Sequence, residues 1–86
     1  MLSYSDIEQT VDSAMYDNGV VLCEQDVENA TLVYENDWGN WALEEVDGQF
    51  DLVAIDGRVI ENLEDYEDTD QLYADIVQFL EETFSA

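Results

Sequence analysis

Across 86 residues the chain sets 23 Asp and Glu against a single basic residue, Arg58, for a formal charge of −22, while 47% of its residues are apolar and 12% aromatic. The apolar and aromatic share excludes a disordered acidic tail, the length leaves room for one domain rather than two, and a lone cysteine without any histidine excludes an intramolecular disulfide and the usual zinc ligand sets. No stretch approaches the ~20 consecutive apolar residues of a membrane span, and the chain does not open on a basic region followed by an apolar run, so it is expected to work inside a cell, away from membranes.

Ser5 and Glu8 form a capping-box pattern, and Ile7, Val11, Ala14 and Met15 then recur at helical spacing, which predicts a first helix over Asp6–Tyr16. Asn18-Gly19 supplies the residues that most easily take positive φ and so ends it. The period then changes. Val20–Glu24, Ala30–Glu35, Trp41–Val46 and Phe50–Ile55 are short runs rich in β-branched and aromatic residues, separated by turn chemistry at Asn36-Asp37-Trp38-Gly39-Asn40 and at Asp47-Gly48. They predict an antiparallel meander of three or four strands. Asp56-Gly57 turns the chain again into Arg58-Val59-Ile60, either a last short strand or the entry to the next element. Cys23, inside the run Val20-Val21-Leu22-Cys23, reads as a buried, inert thiol.

Residues 61–70 hold six carboxylates in ten positions, Glu61, Glu64, Asp65, Glu67, Asp68 and Asp70, interrupted by Leu63 and Tyr66 at a spacing that lets both touch the body of the fold. Thr69, or Asp68 with Gln71 three residues on, can cap a final helix. Its apolar stripe is Leu72, Tyr73, Ile76, Val77, Leu80 and Phe84, with Asp70, Asp75, Glu81 and Glu82 on the other side. The order of elements predicts an α+β fold in one domain, with an N-terminal and a C-terminal helix covering one face of the sheet. The other face, the edges and the loops are then open.

Catalysis finds little support in these residue types. The common general base, the Schiff-base amine and a cationic clamp for an oxyanion are all missing, and the adjacent pair Glu44-Glu45 points to opposite faces of a strand. The chain is therefore not expected to be an enzyme or to hold a cofactor. No segment fits the calcium loop D-x-[DN]-x-[DN]-G-x5-E, so no dedicated metal site is expected.

The charge itself is the leading functional signal. A domain of this length has a radius of gyration of roughly 12 Å, and duplex DNA over the corresponding ~30 Å carries roughly 18 phosphate charges at one per ~1.7 Å. An ordinary solvated surface mixes signs, whereas this one has a single sign and the self-repulsion that goes with it. Two explanations fit: the charge is a binding device that imitates phosphates toward a basic nucleic-acid-binding protein, or the surface is adapted to high salt. Under the first, Glu64, Asp65 and Asp70 of the acidic segment pair with partner arginines and lysines, and an aromatic such as Trp38 or Tyr66 completes the contact. Trp38 and Trp41 divide between core and surface, and Arg58 pairs with neighbouring Asp56 or Glu61. Self-repulsion favours a monomer over a tight dimer.

Two local patterns carry a resemblance. Asn36-Asp37-Trp38-Gly39-Asn40 is similar, with Trp38 inserted, to an Asn-Asp-Gly-Asn turn between strands, and Tyr66-Glu67-Asp68 followed by Tyr73 and Asp75 repeats a Tyr-Glu-Asp and Tyr-x-Asp spacing. Both belong to the small acidic phage-encoded inhibitors of bacterial defence, more narrowly the anti-CRISPR inhibitors of Cas9 from Listeria prophages, which the chain resembles. The resemblance implies an N-terminal helix, a three-stranded antiparallel sheet and C-terminal helices, and inhibition inside a bacterial host. It nominates Asp37, Asn40, Glu67 and Asp68 as contacts to the basic site where the target, a CRISPR effector such as Cas9 or a restriction enzyme, reads DNA. The chain departs from that family at Trp38, at Thr69, where the family continues acidic, and in lacking lysine.

Overall fold

The computed structural model describes residues 1–26, 28 and 31–84. Helix α1 covers Tyr4–Asp17, strands β1 to β5 follow as Val21–Asp26, Thr31–Asn36, Gly39–Val46, Gln49–Ala54 and Val59–Ile60, a 3-10 turn covers Leu63–Asp65, and helix α2 covers Thr69–Phe84. The strands pair antiparallel with their sequence neighbours in the order β1-β2-β3-β4-β5. The α+β meander is thus as the sequence predicts, with Val59–Ile60 as a short fifth strand, two strands more than the resemblance implies.

α1 starts earlier than its periodicity suggests because Ser3, not Ser5, is the cap. The Asp6 backbone N–H donates to Ser3 Oγ at 3.2 Å and the Ser3 N–H donates to Asp6 Oδ2 at 3.3 Å, a reciprocal capping box. Asn18 closes the other end, and Gly19 then adopts φ +75°, which a side chain resists. At the β3–β4 turn Asp47 and Gly48 both take positive φ, 53° and 84°, the geometry that matches the twist of a two-residue hairpin.

The core lies between the helices and one face of the sheet. Ile7, Val11, Ala14 and Met15 of α1 and Leu72, Ile76, Phe79 and Leu80 of α2 pack against Leu32, Tyr34, Trp41, Leu43, Leu52 and Ala54. Burying each of the larger side chains contributes roughly 1.5–3 kcal/mol. Phe79 belongs to the α2 stripe although it was not expected there, and the side chain of Phe84, like residue Ala30 at the expected start of β2, lies outside the described residues.

Cys23 is exposed, not buried. β1 is an edge strand, with Val21 and Leu22 58% and 47% exposed, and an irregularity in register between Leu22 and Glu24 lifts Cys23 out of the pairing. Its thiol donates to the Val33 carbonyl at 3.4 Å. Partial desolvation, then the negative charge of Glu35, pushes its pKa up.

Candidate protein-interaction surface

Arg58 is spent inside the fold. Its Nε donates to Asp56 at 2.9 Å, its Nη1 reaches Glu82 at 3.1 Å and the Phe79 carbonyl at 3.2 Å, and its guanidinium carbon stands 4.8 Å from the centroid of the Phe79 ring. The expected pairing with Asp56 is present; the second carboxylate is Glu82 of α2 rather than Glu61. Backbone and side-chain hydrogen bonds from Arg58 hold the Asp56 carboxyl below the usual carboxylate range.

Neutral donors organise the acidic groups elsewhere. Tyr34, in the core, donates to Asp12; Tyr66 donates to Asp75 at 2.5 Å; Tyr73 donates to Asp17 at 2.6 Å. A hydrogen bond to Glu8 and partial desolvation push the Tyr4 phenol up to about 12. Desolvation and the bond to Asp75 push Tyr66 up to about 12 as well. Burial, followed by the bond to Asp12, raises Tyr34, and the bond to Asp17 raises Tyr73. A phenol fixes a carboxylate without cancelling its charge, which a lysine or arginine would do.

The acidic segment is pinned from below and open above. Leu63 is fully buried, Glu64 Oε1 accepts the Phe50 backbone N–H at 2.7 Å, and the Glu64 carbonyl accepts the Leu2 N–H at 3.0 Å. Asp68 caps α2 by accepting the Gln71 N–H at 2.7 Å. Tyr66 is half-buried, whereas Glu61, Asp65, Glu67, Asp68 and Asp70 are exposed. Glu64 and Asp68 therefore have structural work as well as charge, and Glu61, Asp65, Glu67 and Asp70 are the exposed members without such a role.

Asp37 and Trp38 form the β2–β3 turn, where Asn36 Oδ1 accepts the Trp38 and Gly39 backbone N–H groups at 2.8 and 3.1 Å. Trp38 is 73% exposed while Trp41 is buried in the core at 1%. The Asn40 amide nitrogen donates 3.2 Å to Glu35 Oε2 across the strand pair, in the amide orientation that satisfies both of its polar atoms. This turn and the acidic segment do not meet. Gly39 opens β3 beside the turn, and Glu45, six residues on, pairs with Phe50, whose N–H Glu64 holds. At ~3.3 Å per residue β3 runs about 20 Å between Gly39 and Glu45, so the turn and the anchor of Glu64 lie toward opposite ends of the sheet.

The end that carries Glu64 also holds a cleft of about 360 Å³, lined by Tyr4, Leu32, Leu43, Glu45 and Phe50 with Gln25, Asp26 and Thr31 at its rim. Nothing in the sequence pattern marks it, because Tyr4 and Phe50 are distant in the chain and only the docking of α1 stacks their rings, 5.4 Å apart and 13° from parallel. The face of the sheet away from the helices carries the cross-strand row Val33, Ala42, Val53 and Val59, half-buried to exposed. Among the described residues no group of three or more metal-ligating side chains converges, and no helix is long and apolar enough to cross a membrane. Comparison with protein-family models, with curated proteins and with solved structures found no match to the chain, so its residues and their geometry carry the functional argument.

Proposed function

We propose that the chain is a nucleic-acid-mimicking inhibitor of the anti-CRISPR or anti-restriction type, which occupies the basic DNA- or RNA-binding groove of a bacterial defence protein. The observation that supports this most is how charge is handled: the one cation is used within the fold, by Asp56 and Glu82, while tyrosine phenols and backbone N–H groups hold carboxylates in place without neutralising them. Those carboxylates keep their full negative charge. A net charge of −22 is spread over a body whose longest extent is 31 Å, about the charge of duplex DNA of that length.

Inhibition is competitive and stoichiometric, without catalysis or cofactor. Partner arginines and lysines that neutralise phosphates or read base edges pair instead with Asp65, Glu67, Asp68 and Asp70, with Tyr66 at the margin of the contact. Asp37 and Trp38 make a second contact from the other end of the sheet. The ~20 Å of β3 between the turn and the anchor of Glu64 corresponds to about six base pairs at ~3.4 Å each, within the length of one duplex-sized groove. The inhibitor acts in the cytoplasm of the host cell, as a monomer.

The test is displacement of labelled duplex from a guide-loaded Cas9 and from restriction endonucleases, followed by fluorescence anisotropy. The expected result is loss of bound duplex at one inhibitor per enzyme, with the apparent Kd for DNA rising linearly with inhibitor. Stable ternary complexes would reject groove occupancy.

A further inference from the structure

We propose that the cleft formed by Tyr4, Phe50 and Glu45 is a receptor for a single arginine side chain of the partner protein. The inference rests on the reading that the chain docks on a basic protein, and it adds a site that the acidic segment does not contain.

The protein already shows how it holds an arginine. Arg58 lies 4.8 Å from the centroid of the Phe79 ring while carboxylates from two different elements, Asp56 and Glu82, take its N–H groups at 2.9 and 3.1 Å. The requirements are an aromatic face, a carboxylate at its edge, and apolar surface for the aliphatic stem. The cleft repeats that set. Tyr4 and Phe50 supply stacked rings, Glu45 stands directly across the strand pair from Phe50 on the same face of the sheet, and Leu32 and Leu43 form the apolar floor. Directly paired residues place their Cβ atoms ~5 Å apart, so the Glu45 carboxylate and the Phe50 ring can address one guanidinium.

The chain has no cationic side chain to place there. Its single arginine is engaged at the other end of the sheet, and it has no lysine. Among the described residues no hydrogen bond or ion pair reaches the Glu45 carboxylate, although its charge is felt by the Tyr4 phenol. At about 360 Å³ the cleft is at the small end of the ~300–1,000 Å³ range of ligand pockets, a size for one long side chain rather than for a cofactor. It also adjoins the acidic segment, since the Phe50 backbone N–H is the donor that Glu64 accepts. An arginine entering the cleft is therefore continuous with the surface already proposed to face the partner. Arginine is favoured over lysine because the planar guanidinium can stack on a ring and pair with a carboxylate at once.

The experiment is a backbone-amide NMR titration of the intact chain with N-acetyl-arginine amide, N-acetyl-lysine amide and the uncharged isostere N-acetyl-citrulline amide at constant ionic strength. The arginine compound is expected to shift resonances of Tyr4, Leu32, Leu43, Glu45 and Phe50 in one saturable site, binding about tenfold more tightly than the citrulline compound and more tightly than the lysine compound. Glu45→Gln should abolish that preference over citrulline, Tyr4→Leu should narrow the preference over lysine, and Glu81→Gln should change neither. Shifts scattered over the acidic surface, equal for arginine and lysine, would overturn the assignment, as would a saturable site that ignores Glu45→Gln. Either failure removes the cleft and leaves displacement of duplex DNA by the whole protein standing or falling on its own test.

Discussion

Tyr34 sits on the inner face of the sheet, 1% exposed, and its phenol donates a hydrogen bond to the carboxylate of Asp12, an exposed residue of α1. The pair ties sheet to helix with a neutral donor, and Tyr66–Asp75 and Tyr73–Asp17 repeat the arrangement around α2. Each phenol is harder to ionise in the folded chain than in the unfolded one, where tyrosine titrates near ~10.

That difference sets an alkaline limit on stability. The phenols' folded pKa values are raised, to about 12 for Tyr4 and Tyr66, so their contribution is complete below pH ~10 and is lost as pH rises through about 12. Thermal melts are expected to be level between about pH 7 and 9 and to fall steeply above about pH 10. Tyr34→Phe should lower Tm at neutral pH and make the alkaline fall shallower. A Tm that holds through pH ~12 would show that these bonds do not matter to the fold.

Arg58 links the β4–β5 turn to α2. Arg58→Met keeps much of the stem but removes both carboxylate contacts, the bond to the Phe79 carbonyl and the cation over the ring. The expected loss is about 1 kcal/mol, since each of these partly exposed contacts contributes only a fraction of that. Denaturant unfolding checks it, and no loss would mean that Arg58 is a bystander.

Position and total charge are separable. Glu67→Gln with Asp68→Asn keeps shape, and asparagine retains the cap that Asp68 gives to Gln71. This pair should leave the fold intact and cost about 2 kcal/mol or more in affinity for a displaced target if its carboxylates are buried against arginine. Glu24→Gln with Glu81→Gln removes the same two charges elsewhere on the exposed surface; Glu82 is unsuitable as a control because it pairs with Arg58. Equal losses from both pairs would mean that only net charge counts.

Much of the fold is legible in the sequence because its signals are local. Ile7, Val11, Ala14 and Met15 mark the buried face of α1, and Asn18-Gly19 and Asp47-Gly48 mark turns through their tolerance of positive φ. Asp68 and Gln71 announce the start of α2. What depends on tertiary placement is not legible. Cys23 looks like a core residue from its apolar neighbours, yet edge position and a register irregularity expose it. Phe79 falls at helical spacing from Leu72 and Ile76 and could have been read as part of the α2 stripe; that the Arg58 guanidinium lies over its ring depends on tertiary placement. The nominated residues of the β2–β3 turn and of the acidic segment look like one site in a list of acids, and the length of β3 sets them at opposite ends. The Tyr4–Phe50 cleft exists only once α1 has docked.

Salt separates mimicry from adaptation to brine. A chain whose charge is a binding device is expected to be folded at ~0.1 M salt, with a modest rise in Tm as repulsion is screened. Circular dichroism showing an unfolded chain at that salt, folding only near molar salt, would favour the salt-adapted surface.

The most direct measurement of the central claim is elution by nucleic acid. The chain, immobilised through one terminus, is exposed to nuclease-treated bacterial lysate and then washed with duplex DNA or RNA at fixed ionic strength, with polyglutamate of equal total charge as the control. The proposed inhibitor retains a nucleic-acid-binding protein that duplex or RNA releases and polyglutamate does not. A retained protein that binds its nucleic acid while still held on the column, or one that polyglutamate releases equally well, would contradict mimicry.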